Sequence, residues 1–204
     1  MLIHVHPDNP TPRAIQTLVN SLKEGGVIIY PTDTVYGLGC DIFQHKAIER
    51  ICRIKNVDPK KAQLSFICSD LSDLSKYTKS ISTPLYRMLK HYLPGPYTFI
   101  LPASKEVPKI LKSKKDTIGL RIPDNAIAQA IIRELGRPLL SASIPGDTAE
   151  ECSDPEIMYD RFEKLVEYVV EGGIGGLVPS TIIDCTEEEP VMVRQGLGAF
   201  PLEH

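Results

Sequence analysis

The sequence predicts an α/β fold in which a mixed β-sheet carries packed helices, as a single domain over residues 1–201. Short β-branched runs bounded by turn residues recur along the chain, each the right size for a strand buried in a sheet. Between them, in the first two thirds, lie segments with apolar residues at three and four spacing, the mark of helices with one face packed. Strand-like runs dominate the end, so a mixed sheet is expected rather than a purely parallel doubly wound one. The length of 204 residues suffices for one domain that buries roughly 70% of its unfolded surface.

Thr11-Pro12 supplies a helix N-cap with proline at the first helical position. Ile15, Leu18, Val19 and Leu22 then repeat until Gly25-Gly26 stops the helix. Val27-Ile28-Ile29 follows as a fully buried strand, ending in the turn Tyr30-Pro31-Thr32-Asp33-Thr34-Val35-Tyr36-Gly37-Leu38-Gly39. A second helix is expected near His45 to Lys55 through Ile48, Ile51 and Cys52, and a third after Ser82-Thr83-Pro84 through Leu85, Met88, Leu89 and Tyr92. A fourth spans about Asn125 to Leu135 and ends at Gly136. Strands are predicted at Leu64 to Cys68, Thr98 to Leu101, Ile118 to Ile122, Leu139 to Ser141, Tyr168 to Val170, Ile182 to Cys185 and Val191 to Val193. Asp147 to Asp154 reads as an exposed loop.

A formal net charge of −3 argues against a protein that coats nucleic acid by bulk electrostatics, so any RNA contact must be local. The five cysteines are scattered without Cys-x-x-Cys or metal-ligand spacing and read as reduced core residues. No apolar run reaches the roughly 18–20 residues of a membrane span and no signal-peptide pattern opens the chain, so a cytoplasmic protein without membrane contact is expected, as a monomer. Leu202-Glu203-His204 resembles the start of a cloned histidine tag and is left out of fold reasoning.

Several segments place small or polar ligand types at the end of an apolar run, where α/β proteins gather binding groups. The turn 30–39 offers Thr32, Asp33 and Thr34; as an isolated segment it equally fits a plain turn whose side chains bond nearby backbone. Arg121, within Gly119-Leu120-Arg121-Ile122-Pro123, needs either a buried acid or an anionic ligand. Ser141-Ala142-Ser143 and Val193-Arg194-Gln195-Gly196 follow the same pattern. The stretch from Gly172 to Thr181 is suited to a phosphate nest or to ordinary turns; it is neither a Walker loop nor a Rossmann fingerprint. Lys55 ends a helix, where a cation also suits the dipole. Lys109, Lys112, Lys114 and Lys115 form a basic cluster that suits RNA phosphates or a solvated face. The five histidines form no ligand-spaced pair on a plausible helix, His4 and His6 share one strand face but lack a third ligand, and no Gly-x-Ser-x-Gly nucleophile elbow is present.

Taken in order, Tyr30 to Gly39, Arg53-Ile54-Lys55, Pro94-Gly95-Pro96-Tyr97-Thr98, Gly119 to Pro123, Ser141-Ala142-Ser143, Pro179-Ser180-Thr181-Ile182-Ile183-Asp184 and Val193 to Gly196 resemble the YrdC-like family, most closely its YciO branch, over about residues 11–200. The resemblance implies a twisted mixed sheet with flanking helices around a concave, positively lined cleft. It implies threonylcarbamoyl-AMP synthase chemistry, in which ATP with Mg²⁺, L-threonine and bicarbonate give threonylcarbamoyl adenylate and pyrophosphate for tRNA modification. By the same resemblance Thr32, Thr34, Arg121, Ser141 and Ser180 hold threonine and bicarbonate-derived oxygens. Lys55, Ser143 and Arg194 contact ATP, with Lys55, Arg121 and Thr34 as the catalytic group. Members of the family have also been suggested to bind RNA, which makes an RNA-binding protein without synthase activity the alternative.

Two positions depart from the synthase pattern. Lys-x-Arg reads Lys55-Asn56-Val57, and Ser-x-Asn reads Ser141-Ala142-Ser143. One missing charge-assisted hydrogen bond to phosphate costs roughly 1.5–3 kcal/mol, so weakened or redirected activity is the expectation. Lys60 or Lys61 is positioned in sequence to substitute for the arginine.

Overall fold

The computed structural model describes residues 1–58, 62, 64–111 and 116–201. Lys60, Lys61, Lys112, Lys114, Lys115 and the terminal 202–204 lie outside the described residues. In chain order the elements are β1 (Leu2–His4), α1 (Pro12–Lys23), β2 (Ile28–Tyr30), β3 (Gly37–Asp41), α2 (His45–Ile54), β4 (Ser65–Ile67), α3 (Leu71–Lys76), α4 (Thr83–Tyr92) and β5 (Tyr97–Pro102). After a 3₁₀ turn at Lys109–Leu111 come β6 (Thr117–Arg121), α5 (Ala126–Leu135), β7 (Leu139–Ser143), α6 (Ala149–Ser153), α7 (Pro155–Phe162), β8 (Tyr168–Glu171), β9 (Thr181–Asp184) and β10 (Val191–Arg194).

The strands form one mixed sheet in the order β1-β8-β2-β3-β7-β4-β6-β5-β9-β10. Pairings β1·β8, β2·β8, β4·β6 and β5·β9 are parallel, and the other five are antiparallel. This is the mixed sheet that the sequence predicts. Its two faces differ in composition because side chains alternate along a strand. Leu38, Cys40, Leu140, Ala142, Phe66, Leu120, Phe99 and Ile183 point to one face, which is the larger core and is packed by α2, α4 and α7 through residues such as Ile48, Ile51, Leu89 and Met158. The opposite face carries Ile28, Tyr30, Ile67 and Leu139 under α1 and α5, which contribute Leu18, Leu22, Ile127 and Ile131. Beyond those two helices it continues as glycines, hydroxyls and two arginines: Gly37, Gly39, Ser141, Ser143, Ser65, Gly119, Arg121, Thr98 and Arg194.

Helices α1, α2, α4 and α5 fall where three and four spacing places them, and α5 closes at Gly136 in the left-handed conformation, φ +74°. Asp147 to Asp154 is not a plain loop. It contains α6, opened by a capping box between Thr148 and Glu151, and runs into α7 through Asp154-Pro155. Gly37 to Gly39 belongs to a strand rather than a turn, and β1 and α3 add elements absent from the sequence reading. Among the described residues no helix is long and apolar enough to cross a membrane.

Candidate functional site

Arg121 ends β6 and is 8% exposed. Its Nη2 donates to Asp33 Oδ1 at 2.5 Å and to Thr34 Oγ1 at 3.1 Å, while its buried Nε has no partner among the described residues. Asp33 also accepts from the Asp124 N–H at 3.1 Å. Of the two expectations for Arg121, the structure shows the buried acid, Asp33. Thr32 sets the local turn, its hydroxyl donating to the Val35 carbonyl at 2.8 Å and accepting from the Thr34 N–H at 3.0 Å. With the Thr32 hydrogen so used, the Thr34 hydroxyl is the donor in the 3.2 Å contact between them and the acceptor from Arg121. Thr32 and Thr34 thus brace Arg121 from behind.

In front of Arg121 lies a cavity of about 100 Å³, lined by Ser65, Ile67, Thr98, Ser141, Ala142, Ser143, Ser180, Ile182 and Arg194 as well as Arg121. Apart from Ala142 and Ser180 these lie on the same face of the sheet, with Ile67 at the edge of the part covered by α1 and α5, so strand alternation builds the site. Arg121, Ser143 and Arg194 are the last residues of their strands, as expected of ligand groups; Thr98 and Ser141 lie inside theirs. The Thr98 and Ser180 hydroxyls are 2.8 Å apart and buried, and Ser141 accepts from the Tyr30 hydroxyl at 2.8 Å. Arg194 reaches this face through a bulge in β10: Met192 sits opposite Ile183, but the next partner, Ile182, faces Arg194. The extra residue reverses the alternation and turns the guanidinium toward the cavity. Its Nη2 donates to the Ser180 carbonyl at 2.8 Å. Burial, and then the charge of Arg121, hold the Arg194 pKa below its ordinary value. Two cations therefore face the same space with hydroxyls between them, an arrangement relieved by an anion.

Lys55 caps the end of α2. Asn56 takes the left-handed conformation at φ 52°, and the Asn56 and Val57 N–H groups return to the Arg53 and Cys52 carbonyls, a complete Schellman closure. That closure sends Lys55 Nζ to the Ser143 carbonyl at 2.6 Å, at the cavity's edge, and leaves Val57 exposed. Burial lowers the Lys55 pKa. The glycine-rich stretch is less free to cradle an anion than its composition suggests. The Gly172 N–H donates to the Tyr36 hydroxyl, that of Gly173 to Glu171 Oε1 and that of Gly175 to the Ser153 carbonyl, at 3.3, 3.1 and 2.8 Å. Gly176 lies so near the 32–36 turn that a Cβ there would be 2.3 Å from the Thr34 carbonyl oxygen.

The structure thus gathers Arg121, Ser141, Ser143, Ser180 and Arg194 around one cavity and sets Lys55 beside it. Tyr30 and Thr98 belong to the motifs quoted from the sequence and Ser65 to a predicted strand, but the sequence reading assigns none of the three to the site. Their signal was present in the hydroxyl at alternate positions of short strands, as in Ser65-Phe66-Ile67. Of the basic cluster, only Lys109 is described, in the 3₁₀ turn.

Fold and donor set define an α/β protein with a donor-lined cavity on one face of a mixed sheet. Residues 20–196 match the Sua5/yciO/yrdC family model, described as "Telomere recombination", and the chain belongs to that family. It is 47% identical over 198 residues to the uncharacterized protein YciO of Escherichia coli strain K12, covering 96% of this chain and 95% of that one. The crystal structure of E. coli YciO superposes with a TM-score of 0.91 at 46% identity, covering 98% of this chain and 97% of that one. A threonylcarbamoyl-AMP synthase of Vibrio vulnificus strain YJ016 is 33% identical over 185 residues, 89% of this chain and 98% of that one. P. abyssi Sua5, crystallised with L-threonine, matches with a TM-score of 0.85 at 29% identity over 96% of this chain and 57% of its own length.

Proposed function

We propose that the protein is an adenylate-forming enzyme of the threonylcarbamoyl-AMP synthase type, acting in the cytoplasm on ATP, L-threonine and bicarbonate. The observation that carries this reading is the lining of the cavity: two guanidiniums and five hydroxyls, with no carboxylate among its lining residues. Such a surface offers hydrogen-bond donors to carboxylate, carbonate and phosphate oxygens and repels ammonium groups. Relatives point the same way, one being a threonylcarbamoyl-AMP synthase and another a structure holding L-threonine.

About 100 Å³ is well below the roughly 300–1,000 Å³ of a pocket that encloses a cofactor-sized ligand. The cavity therefore takes the small oxyanionic group, and the nucleotide extends past Ser143 to Lys55 and Arg194. In the reaction, the threonine amine forms a C–N bond to the bicarbonate carbon as a C–O bond breaks and water leaves, and an oxygen of the resulting carbamate attacks the α-phosphorus of ATP, forming a P–O bond as the bond to pyrophosphate breaks. Arg121 and the hydroxyls of Ser141 and Ser180 fix the carbamate and carboxylate oxygens, and Lys55 and Arg194 balance charge on the phosphates. Mg²⁺ comes as part of the nucleotide substrate, whose triphosphate charge the chain's own cations do not neutralise.

The test is pyrophosphate release from Mg-ATP with threonine and bicarbonate each supplied or withheld. Release that needs both substrates and Lys55, and that rises in Val57→Arg, supports the reading and places its handicap at the missing arginine. Absence of release in both wild type and Val57→Arg overturns it and turns attention to RNA as the ligand.

A further inference from the structure

The geometry points to Tyr30 as a positioning residue: from the far side of β3 it locks the Ser141 hydroxyl as a hydrogen-bond donor into the cavity, and so selects an oxyanion there. This rests on the reading above for the identity of the natural substrate, but not for the direction of the hydrogen bond.

Strands β2, β3 and β7 lie side by side, with Tyr30 opposite Gly37 and Gly39 opposite Ser141. Directly paired residues share a face, so a tyrosine, two glycines and a serine are neighbours on the cavity side of the sheet. The tyrosine ring lies across β3 in the space that two side chains would fill. A Cβ at Gly39 would stand 2.7 Å from Tyr30 Cε1, and one at Gly37 would stand 3.3 Å from the same atom and 2.8 Å from Ser141 Oγ. Only with both glycines does the Tyr30 hydroxyl cross to β7 and reach Ser141 Oγ at 2.8 Å.

The direction of that bond decides the consequence. Tyr30 is wholly buried, and among the described residues its hydroxyl has no hydrogen-bond partner but Ser141 Oγ, so the single phenolic hydrogen is donated there. Ser141 Oγ thereby accepts, and its own hydrogen must find another oxygen. Among the described residues no group accepts from Ser141, and Ser141 lines the cavity. The hydrogen therefore points to a ligand, and the matching ligand atom is an acceptor: a carboxylate, carbonate or phosphate oxygen. Without Tyr30 the serine hydroxyl is a free rotor that can serve as donor or acceptor, and the selection is lost.

Calorimetric titrations of the full chain with L-threonine and, separately, with inorganic phosphate test this in wild type, Tyr30→Phe, Ser141→Ala and the double variant. Tyr30→Phe keeps the ring and its packing, so the thermal midpoint should stay near that of wild type. Affinity for whichever probe wild type binds should fall roughly three- to tenfold, the worth of one neutral hydrogen bond, and the double variant should bind no more weakly than Ser141→Ala alone. Wild-type affinity in Tyr30→Phe, or simple additivity in the double variant, overturns the assignment. Binding of phosphate but not threonine counts against the threonine reading while leaving Tyr30 to be judged on the phosphate arm. Binding of neither probe overturns both.

Discussion

Asp33 in the β2–β3 turn and Arg121 at the end of β6 form an ion pair at 2.5 Å with both side chains 9% exposed, although β3, β7 and β4 separate their strands in the sheet. The pair ties the turn holding Thr32 and Thr34 to the cavity, and it fixes Arg121 without using all of its donors. Removing one partner strands the other as a buried charge, whereas removing both need cost little.

Arg121→Ala should therefore lower unfolding stability by about 3–5 kcal/mol, and Asp33→Ala/Arg121→Leu should recover most of that loss while remaining inactive. Urea midpoints of the single and double variants measure this. Equal destabilisation in both would show that the arginine is held by something other than Asp33.

Lys55 titrates below its ordinary 10.5 because burial penalises the charged amine. In the unfolded chain the amine holds its proton to higher pH, so this group's contribution to stability is present above 10.5 and lost as pH falls through the lowered folded value. A phosphate beside Nζ favours the cation and opposes the shift. Between the two values Mg-ATP binding should take up protons, seen as a dependence of the calorimetric enthalpy on the ionisation enthalpy of the buffer. Lys55→Met should abolish the uptake.

Cys40, Cys52, Cys68 and Cys185 are buried, and burial raises the pKa of each thiol; Cys152 is half-buried. A thiol reagent near neutral pH should label Cys152 quickly in the native protein and the other four only on unfolding. Rapid labelling of more than one equivalent would contradict that burial.

Gly176→Ala places a Cβ 2.3 Å from the Thr34 carbonyl oxygen, against backbone that cannot yield without moving the turn. The expected cost is about 1–3 kcal/mol, with a matching drop in pyrophosphate release because Thr34 braces Arg121. Thermal melts paired with the release assay separate the two effects. Unchanged values in both would show that the glycine-rich stretch moves independently of the turn.

Much of this architecture was legible beforehand, and the gaps have physical causes. Helices α1, α4 and α5 declared themselves through three and four spacing with proline, serine or asparagine at the start, and α2 through its spacing alone. Strand β3 did not, because Gly37-Leu38-Gly39 has the low β propensity of a turn and joins the sheet only through neighbours on both sides. Helix α6 is too short to show a period, yet Thr148-x-x-Glu151 carried the capping-box signature that marks its start. At the site, the residue types of Arg121, Ser141, Ser143, Ser180 and Arg194 led to the cavity. What could not be read was strand adjacency, which brings Thr98 and Ser65 to the same cavity, and the β10 bulge, which decides the side on which Arg194 emerges.

The alternation that divides the sheet also divides the labour of inheritance. Leu120 and Leu140 anchor the helices on one side, while their neighbours Arg121 and Ser141 line the cavity on the other. Exchanges such as asparagine for Ser143, or arginine for Val57, fall on positions that are exposed and leave the packed side untouched. The donors around the cavity can therefore change through single substitutions that the packed core tolerates.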